Sequence, residues 1–260
     1  MKNPAAGGGR WIEVQPDRFA SWIREFGRRH GDATGLAGLA GDGQGAAFTA
    51  RAADGAIAEC HPPFPPLLIT ARSEWVEAIA AHAVAERTVG VLLARLGGYA
   101  VGVFAGSPPR LVASKTGSRP VHGRSAAGGW SQHRFARRRE KQASEALRAA
   151  ADAAVAVFTR GPLDAVVLGG DRRAVSGLAE DARLKDYLAR ATDRFLTVPD
   201  PRLAVLRDTP RAFLAIRIRV IEPAPGELGP GGTESPGGTE SPGETESSGE
   251  TESPGRTGST

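Results

Sequence analysis

The sequence predicts a mixed α/β fold, and three observations carry that prediction. Three strand candidates follow one another closely between residues 88 and 114. A long amphipathic segment comes next, at 132–159, and a short apolar run at 163–168 follows it directly. Hairpin-joined strands, a helix and then a buried strand describe a mixed sheet with helices on its faces.

The first strand candidate covers 88–96 and the second 99–105. Gly97-Gly98 between them is a two-residue hairpin signal. The third, 109–114, follows a turn at Gly106-Ser107-Pro108 and completes an antiparallel meander. Residues 115–131 hold Gly117, Gly123, Gly128, Gly129 and Pro120, too many breakers for regular structure, so an extended loop is expected there. In the helix predicted over 132–159, Phe135, Ala143, Ala146, Leu147, Ala150, Ala154, Val157 and Phe158 form one apolar stripe. At 1.5 Å per residue it is about 40 Å long. Helices over 174–179 and 183–192 and an edge strand over 213–221 complete this part.

Towards the N-terminus, Phe19, Trp22, Ile23 and Phe26 recur at helical spacing, and Gly27 or Gly31 ends that helix. A glycine-rich loop over 31–45 leads to a strand at 46–51. His61-Pro62-Pro63-Phe64-Pro65-Pro66 is irregular, because proline fixes φ and supplies no backbone donor. It serves either as a hinge or as a rigid connector. A short strand at 67–70 and a helix at 74–85 are predicted next, with Ser73 as N-cap and Glu77 near capping-box spacing.

From residue 223 the composition changes. Residues 231–254 are four variants of a six-residue Gly-Gly-Thr-Glu-Ser-Pro repeat. A segment without apolar side chains buries too little surface to offset its ordering entropy. The division expected is therefore a folded domain over 1–222 and a disordered acidic tail over 223–260, with 1–68 of undetermined packing.

Composition narrows the function. Hydrophobic residues are 40% of the chain, enough for a core, while aromatics are only 6%, so small aliphatic side chains build it. The lone cysteine, Cys60, excludes an intramolecular disulfide and reads as an inert thiol. No apolar run has the length of a membrane span, and no signal-peptide pattern opens the chain, so a soluble cytoplasmic protein is expected.

The net charge of +4 conceals an uneven distribution. Between Arg110 and Lys141 the only acid is Glu140, against a series that includes Lys115, Arg119, Arg124, Arg134, Arg137 and Arg138. Such a patch is the footprint of a polyanion site. Arg134, Arg137 and Arg138 fall on neighbouring helical faces, spaced to meet successive phosphates of an RNA backbone.

Gly128 and Gly129 permit backbone conformations closed to other residues and a close approach to a ligand. Gln132 stands where loop becomes helix. Its amide donates and accepts hydrogen bonds without titrating near neutral pH, which makes it a poor base and a good positioner of water. His122 and His133 titrate near neutrality and are the alternative acid or base, although contact with RNA is their ordinary reading. Trp130 either stacks on a terminal base or packs against the domain. Asp171, at a strand end, is a single carboxylate where metal nucleases need several.

Gly128-Gly129, then Gln132, then Arg134-Phe135 and a run of arginines resembles the eukaryotic and archaeal class-one peptide release factors. Those carry Gly-Gly-Gln directly before the same kind of Arg-Phe helix. The intervening Trp130-Ser131 departs from that pattern and resembles the Vms-like release factors of ribosome quality control and their actinobacterial relatives, where a Ser commonly precedes the Gln. The resemblance covers 88–171. It implies a ribonuclease-H-like mixed sheet and hydrolysis of the ester between nascent peptide and tRNA. It also implies a catalytic role for Gln132 with Gly128 and Gly129, a proton route through the terminal ribose hydroxyl, and neither metal nor cofactor. Peptidyl-tRNA and the ribosome, in particular its large subunit, are the implied partners. No stop-codon-reading domain is evident, which favours rescue of stalled chains over termination. A non-catalytic tRNA- or rRNA-binding protein is the alternative.

Overall fold

The computed structural model describes residues 3–4, 8–31, 36–37, 47–67, 74–95, 97–118 and 131–223. They belong to one compact unit, Met1–Glu227. The expected strand at 67–70, the Ser73 cap and the repeat tail lie outside the described residues, wholly or in most of their length.

Two sheets are present where the sequence suggested one. The first contains β2 (Arg10–Val14), β4 (Phe48–Arg51), β5 (Ile57–His61) and β11 (Ile216–Ile221), with two-residue pieces β1 (Asn3–Pro4) and β3 (Leu36–Ala37) at its edges. Its order is β1-β2-β11-β5-β4-β3, and each pairing is antiparallel. The expected edge strand near the C-terminus is thus interior, between β2 and β5. Its alternation fits that place: Ile216, Ile218 and Val220 are buried on one face, and Arg217 and Arg219 between them are half-buried on the other. Arg219 pairs with Glu59 directly opposite, at 2.9 Å.

The helix α1 (Pro16–His30) covers this sheet, with Phe19 and Phe26 buried. Pro16 sits in its first turn, where a missing N–H costs nothing. Gly31, at φ +79°, ends it, so the later of the two expected stops is used. The helix α2 (Trp75–Val84) packs alongside, bringing Trp75 edge-on to Phe19. Glu74 is its N-cap, without a side-chain cap bond, so Glu77 makes no capping box.

The second sheet contains β6 (Thr88–Arg95), β7 (Gly98–Ala105), β8 (Arg110–Ser118), β9 (Ala165–Gly170) and β10 (Ala191–Leu196). Its order is β10-β9-β6-β7-β8. The meander β6–β7–β8 is antiparallel, whereas β9 and β10 continue the sheet in parallel with β6. β8 runs four residues beyond the expected strand, so 115–118 are sheet and not loop.

Both faces of this sheet are covered, which is why β6 is buried along nearly all its length. On one face lies α3 (Ser131–Phe158), followed by α4 (Arg172–Ala179), a single 3-10 turn (Ala182–Leu184) and the short α5 (Lys185–Leu188). Leu92, Val101 and Val103 meet Ala150, Ala154, Val157 and Phe158 of α3 there. The expected helix at 183–192 shrinks to that turn and α5, because Ala191 and Thr192 belong to β10. On the other face, α6 (Leu203–Phe213) packs Leu206 and Phe213 against Val91, Leu93 and Phe104. Phe64 joins that core, so the proline-rich connector is pinned at its centre, and the His82 ring bonds its carbonyl at 2.9 Å.

Candidate functional site

β8 ends at Ser118 and α3 begins at Ser131. The connection between them carries the sequence-predicted Arg119, Arg124, Gly128 and Gly129, all outside the described residues. Gln132 is the second residue of α3, and Arg134, Arg137 and Arg138 occupy its first turns; their side chains are likewise outside the described set. Lys115 is exposed on β8, three residues before the strand ends. His122 and Trp130 fall outside the described residues, as does the side chain of His133.

The described frame fixes both ends of this connection. Gly98 and Ser118 are register partners, as are Tyr99 and Gly117, so the last two residues of β8 are held by the start of β7. At the other end α3 is anchored through Ala150, Ala151, Ala153, Ala154, Val157 and Phe158, which are at most 3% exposed. Small side chains allow this approach, and Gly90 allows it further: a Cβ there would meet Leu163 at 2.7 Å and Phe158 at 3.0 Å. The helix has 28 residues, and at 1.5 Å each it spans roughly 42 Å. Its second half is embedded, and that half carries the first.

Beneath the middle of α3 is a cleft of about 450 Å³. Ala143, Ala146 and Leu147 form its roof, and Ala94, Tyr99 and Gly117 its floor, with Arg95, Asp171 and Arg173 at the rim. The sequence pointed to none of Tyr99, Arg95 or Arg173. The Gly97-Gly98 turn was the available signal, since the residues flanking a hairpin stand together at one end of the sheet.

Asp171, considered from sequence as a metal ligand, has a structural task. Its N–H donates to the Ala94 carbonyl at 2.7 Å, and its carboxylate accepts from the Arg173 N–H at 2.9 Å as the cap of α4. Gly170 before it, at φ +103°, lies so close to β6 that a Cβ would stand 2.2 Å from the Ala94 oxygen. Among the described residues no group of three or more His, Cys, Asp or Glu is placed to hold a metal ion. Cys60 is fully buried, and burial pushes its thiol well above the usual range. No helix among the described residues is long and apolar enough to cross a membrane.

Residues 87–219 match the model of a family described as the Actinobacteria/chloroflexi VLRF1 release factor, acVLRF1, over just more than half of the 260-residue chain. The chain belongs to the acVLRF1 release-factor family. The family match opens one residue before β6 and closes within β11, so it takes in the whole second sheet, the β8–α3 connection and α3. Among solved structures, an archaeal translation termination factor, aRF1, is similar at 13% identity and a TM-score of 0.32, covering 64% of this chain and 51% of that one. A second, described only as an archaeal protein, is similar at 15% identity and a TM-score of 0.32, covering 62% and 48%. This acVLRF1 member thus spans about half the length of the solved structures it matches. No curated protein matches it.

Proposed function

We propose that this protein hydrolyses the ester joining a nascent peptide to tRNA, in the rescue of stalled ribosomes or large subunits. One observation carries the reading. Inside the span that matches a release-factor family, the β8–α3 connection holds Gly128 and Gly129, and Gln132 opens the helix that follows.

The mechanism follows from what these groups can do. Water attacks the ester carbonyl, Gln132 orients that water or stabilises the developing oxyanion through its side chain or backbone amide, and the terminal ribose hydroxyl of the tRNA passes the proton. Loss of an oxyanion donor costs about 2.7–4 kcal/mol in other enzymes, so one amide is a sufficient source of the effect. Gly128 and Gly129 let the connection approach the ester. Lys115, Arg119, Arg124, Arg134, Arg137 and Arg138 hold RNA phosphates on either side of it. No metal or cofactor enters this scheme.

The partners in this reading are peptidyl-tRNA and the ribosome, its large subunit in particular, and the protein works in the cytoplasm. The catalytic domain is 1–222, with 223–260 as an acidic tail. The second sheet is taken as ribonuclease-H-like, a reading supported by its antiparallel meander followed, after a long helix, by parallel strands.

The test is direct. Purified protein is incubated with labelled peptidyl-tRNA, free and bound to ribosomal large subunits. Release of the peptide with intact tRNA supports the proposal. Binding without release in both arms would leave a non-catalytic RNA-binding protein.

A further inference from the structure

A second cleft, of about 920 Å³, lies between β10, α6 and strands β2 and β11 of the first sheet. A smaller pocket of about 100 Å³ adjoins it and shares Trp11, Asp193, Arg194 and Arg217. Roughly 10–15 Å³ of such space holds one water, so the smaller pocket has room for several waters or one compact anion.

The pocket's polar groups are unbalanced towards donors. The guanidinium of Arg217 lies 4.6 Å over the ring of Trp11, which in turn meets His61 edge-on at 5.1 Å. Stacking fixes the plane of a guanidinium and leaves its N–H edge free. Among the described residues Arg194 makes one hydrogen bond, to the carbonyl of Ala212, out of the five its donors allow. Burial lowers its pKa to about 10; Glu13 nearby opposes the shift and Arg217 adds to it. Asp193, which is exposed, lines both pockets, and Glu13 and Asp208 line the wider cleft, yet among the described residues neither Arg194 nor Arg217 is ion-paired.

Two neutral groups complete the set. His61 Nε2 and Thr192 Oγ1 are buried atoms without a hydrogen-bond partner, and both residues line the pocket. Burial first, and then Arg217, Arg219 and Arg194, depress the His61 pKa against the opposing charge of Glu59, so its ring is neutral at pH 7 and offers one N–H. A buried polar atom without a partner in a native fold calls for an explanation, an ion among them.

We propose that this pocket binds a phosphate group. Two guanidiniums, an imidazole and a hydroxyl offer more donors than the two coplanar oxygens of a carboxylate accept, whereas a tetrahedral oxyanion presents acceptors on all sides. The wider cleft accommodates whatever the phosphate is attached to, and Arg172, stacked 4.4 Å over Phe195, adds a cation to its wall. The site uses none of the residues assigned to ester hydrolysis, so it stands or falls independently of that activity.

Calorimetric titration of the full chain with sodium phosphate, at fixed ionic strength against a chloride control, tests it. Saturable binding is expected, weakened roughly tenfold or more in Arg217→Gln and in Thr192→Val, as fits loss of a charged or buried hydrogen bond. Arg183→Gln, whose ion pairs lie elsewhere, should bind as wild type. A parallel arm measures anisotropy of a labelled oligouridylate. If the oligomer competes with phosphate and loses affinity in the same two variants, an RNA backbone supplies the phosphate. If its binding is unaltered, a small phosphorylated molecule does. Thr192→Val removes only a hydroxyl and secures the test should Arg217→Gln fail to fold. Absence of saturable phosphate binding, or equal binding by wild type and Thr192→Val, overturns the proposal, and peptide release measured on the same proteins reports separately on the ester chemistry.

Discussion

The ring of Tyr99 stands where a side chain on Gly117 would have to go. The two are register partners on β7 and β8, and a Cβ on Gly117 would lie 2.5 Å from both Cζ and Oη of the tyrosine. Glycine in a strand commonly marks such a close approach. Here it lets the phenol lie across the last turn of sheet before the β8–α3 connection and floor the cleft under α3.

Gly117→Ala is therefore expected to displace the tyrosine ring, the free end of a side chain, more readily than the backbone. The cost should fall at the lower end of the roughly 1–3 kcal/mol typical of overpacking. On a Tyr99→Ala background the same substitution should cost almost nothing. Urea denaturation of the four proteins gives the coupling, and penalties that simply add would show that the ring does not fill this space. Gly170→Ala makes a useful contrast. Its Cβ would meet the backbone oxygen of Ala94, and its φ of +103° disfavours any side chain, so it should cost more than Gly117→Ala on every background.

Acid stability should carry a signature of Asp181. Its carboxylate accepts from the Arg183 guanidinium at 2.9 and 2.7 Å and from the Arg183 backbone N–H at 3.0 Å, which holds its pKa at about 2 against 3.8 for the free side chain. A depressed carboxylate stabilises the fold fully above the unfolded value and loses that contribution as pH falls through the folded one. Melting temperatures should accordingly decline between about pH 4 and about pH 2. Asp181→Asn keeps the capping oxygen but not the charge, so its decline over that window should be shallower. Parallel curves would mean that the ion pair adds nothing in solution, the usual fate of an exposed pair.

What the sequence disclosed follows the range of the interactions. The β6–β7 hairpin was legible because Gly97-Gly98 and its flanking apolar runs are local. The helix α6 was not, because Pro210 lies within it. Proline removes the N–H that would serve the Leu206 carbonyl, and the hydroxyl of Thr209, donating to that oxygen at 2.7 Å, makes up the loss. β10 was hidden because Asp193 and Arg194 interrupt its apolar pattern on the way to the cleft at the sheet edge. β11 is legible as a strand but not as an interior one, since alternation says which face is buried and nothing about the neighbours; its partners β2 and β5 lie more than 150 residues earlier. At the site, the start of the helix at Gln132 was legible. The place of Asp171 before α4 signals its capping role, although the apolar pattern starts the helix at 174, two residues after its first residue, Arg172. The grouping of Arg194, Arg217 and His61 depends on distant strands meeting and had no sequence signal.

The arginines that open α3 should govern RNA binding. Replacing Arg134, Arg137 and Arg138 together by Ala should weaken binding of tRNA or large subunits and flatten its dependence on salt. Each phosphate contact contributes about −0.7 to −0.9 to the slope of log K against log salt, so three lost contacts should reduce it by about two to three. The fold should survive, because the α3 residues known to build the core, from Ala150 to Phe158, lie at the other end of the helix. A slope equal to that of wild type would exclude this face as the RNA site.

Gln132 separates two forms of the proposed chemistry. If its side-chain amide orients the attacking water, Gln132→Ala should slow peptide release by two to three orders of magnitude, the scale of a lost oxyanion-hole donor, about 10²–10³ in rate, while tRNA binding persists. If its backbone N–H acts instead, Gln132→Ala should keep most of the activity. The damaging substitutions would then be Gly128→Ala and Gly129→Ala, which restrict the conformations that bring the N–H to the ester. Single-turnover release from peptidyl-tRNA on large subunits distinguishes the two, because it reports the chemical step apart from product departure. Combining Gly129→Ala with Gln132→Ala should abolish release in either case, since it removes the amide side chain and alters the approach of the backbone. A double variant that cleaves at the wild-type rate would move the chemistry away from the β8–α3 connection, leaving α3 as an RNA-binding helix only.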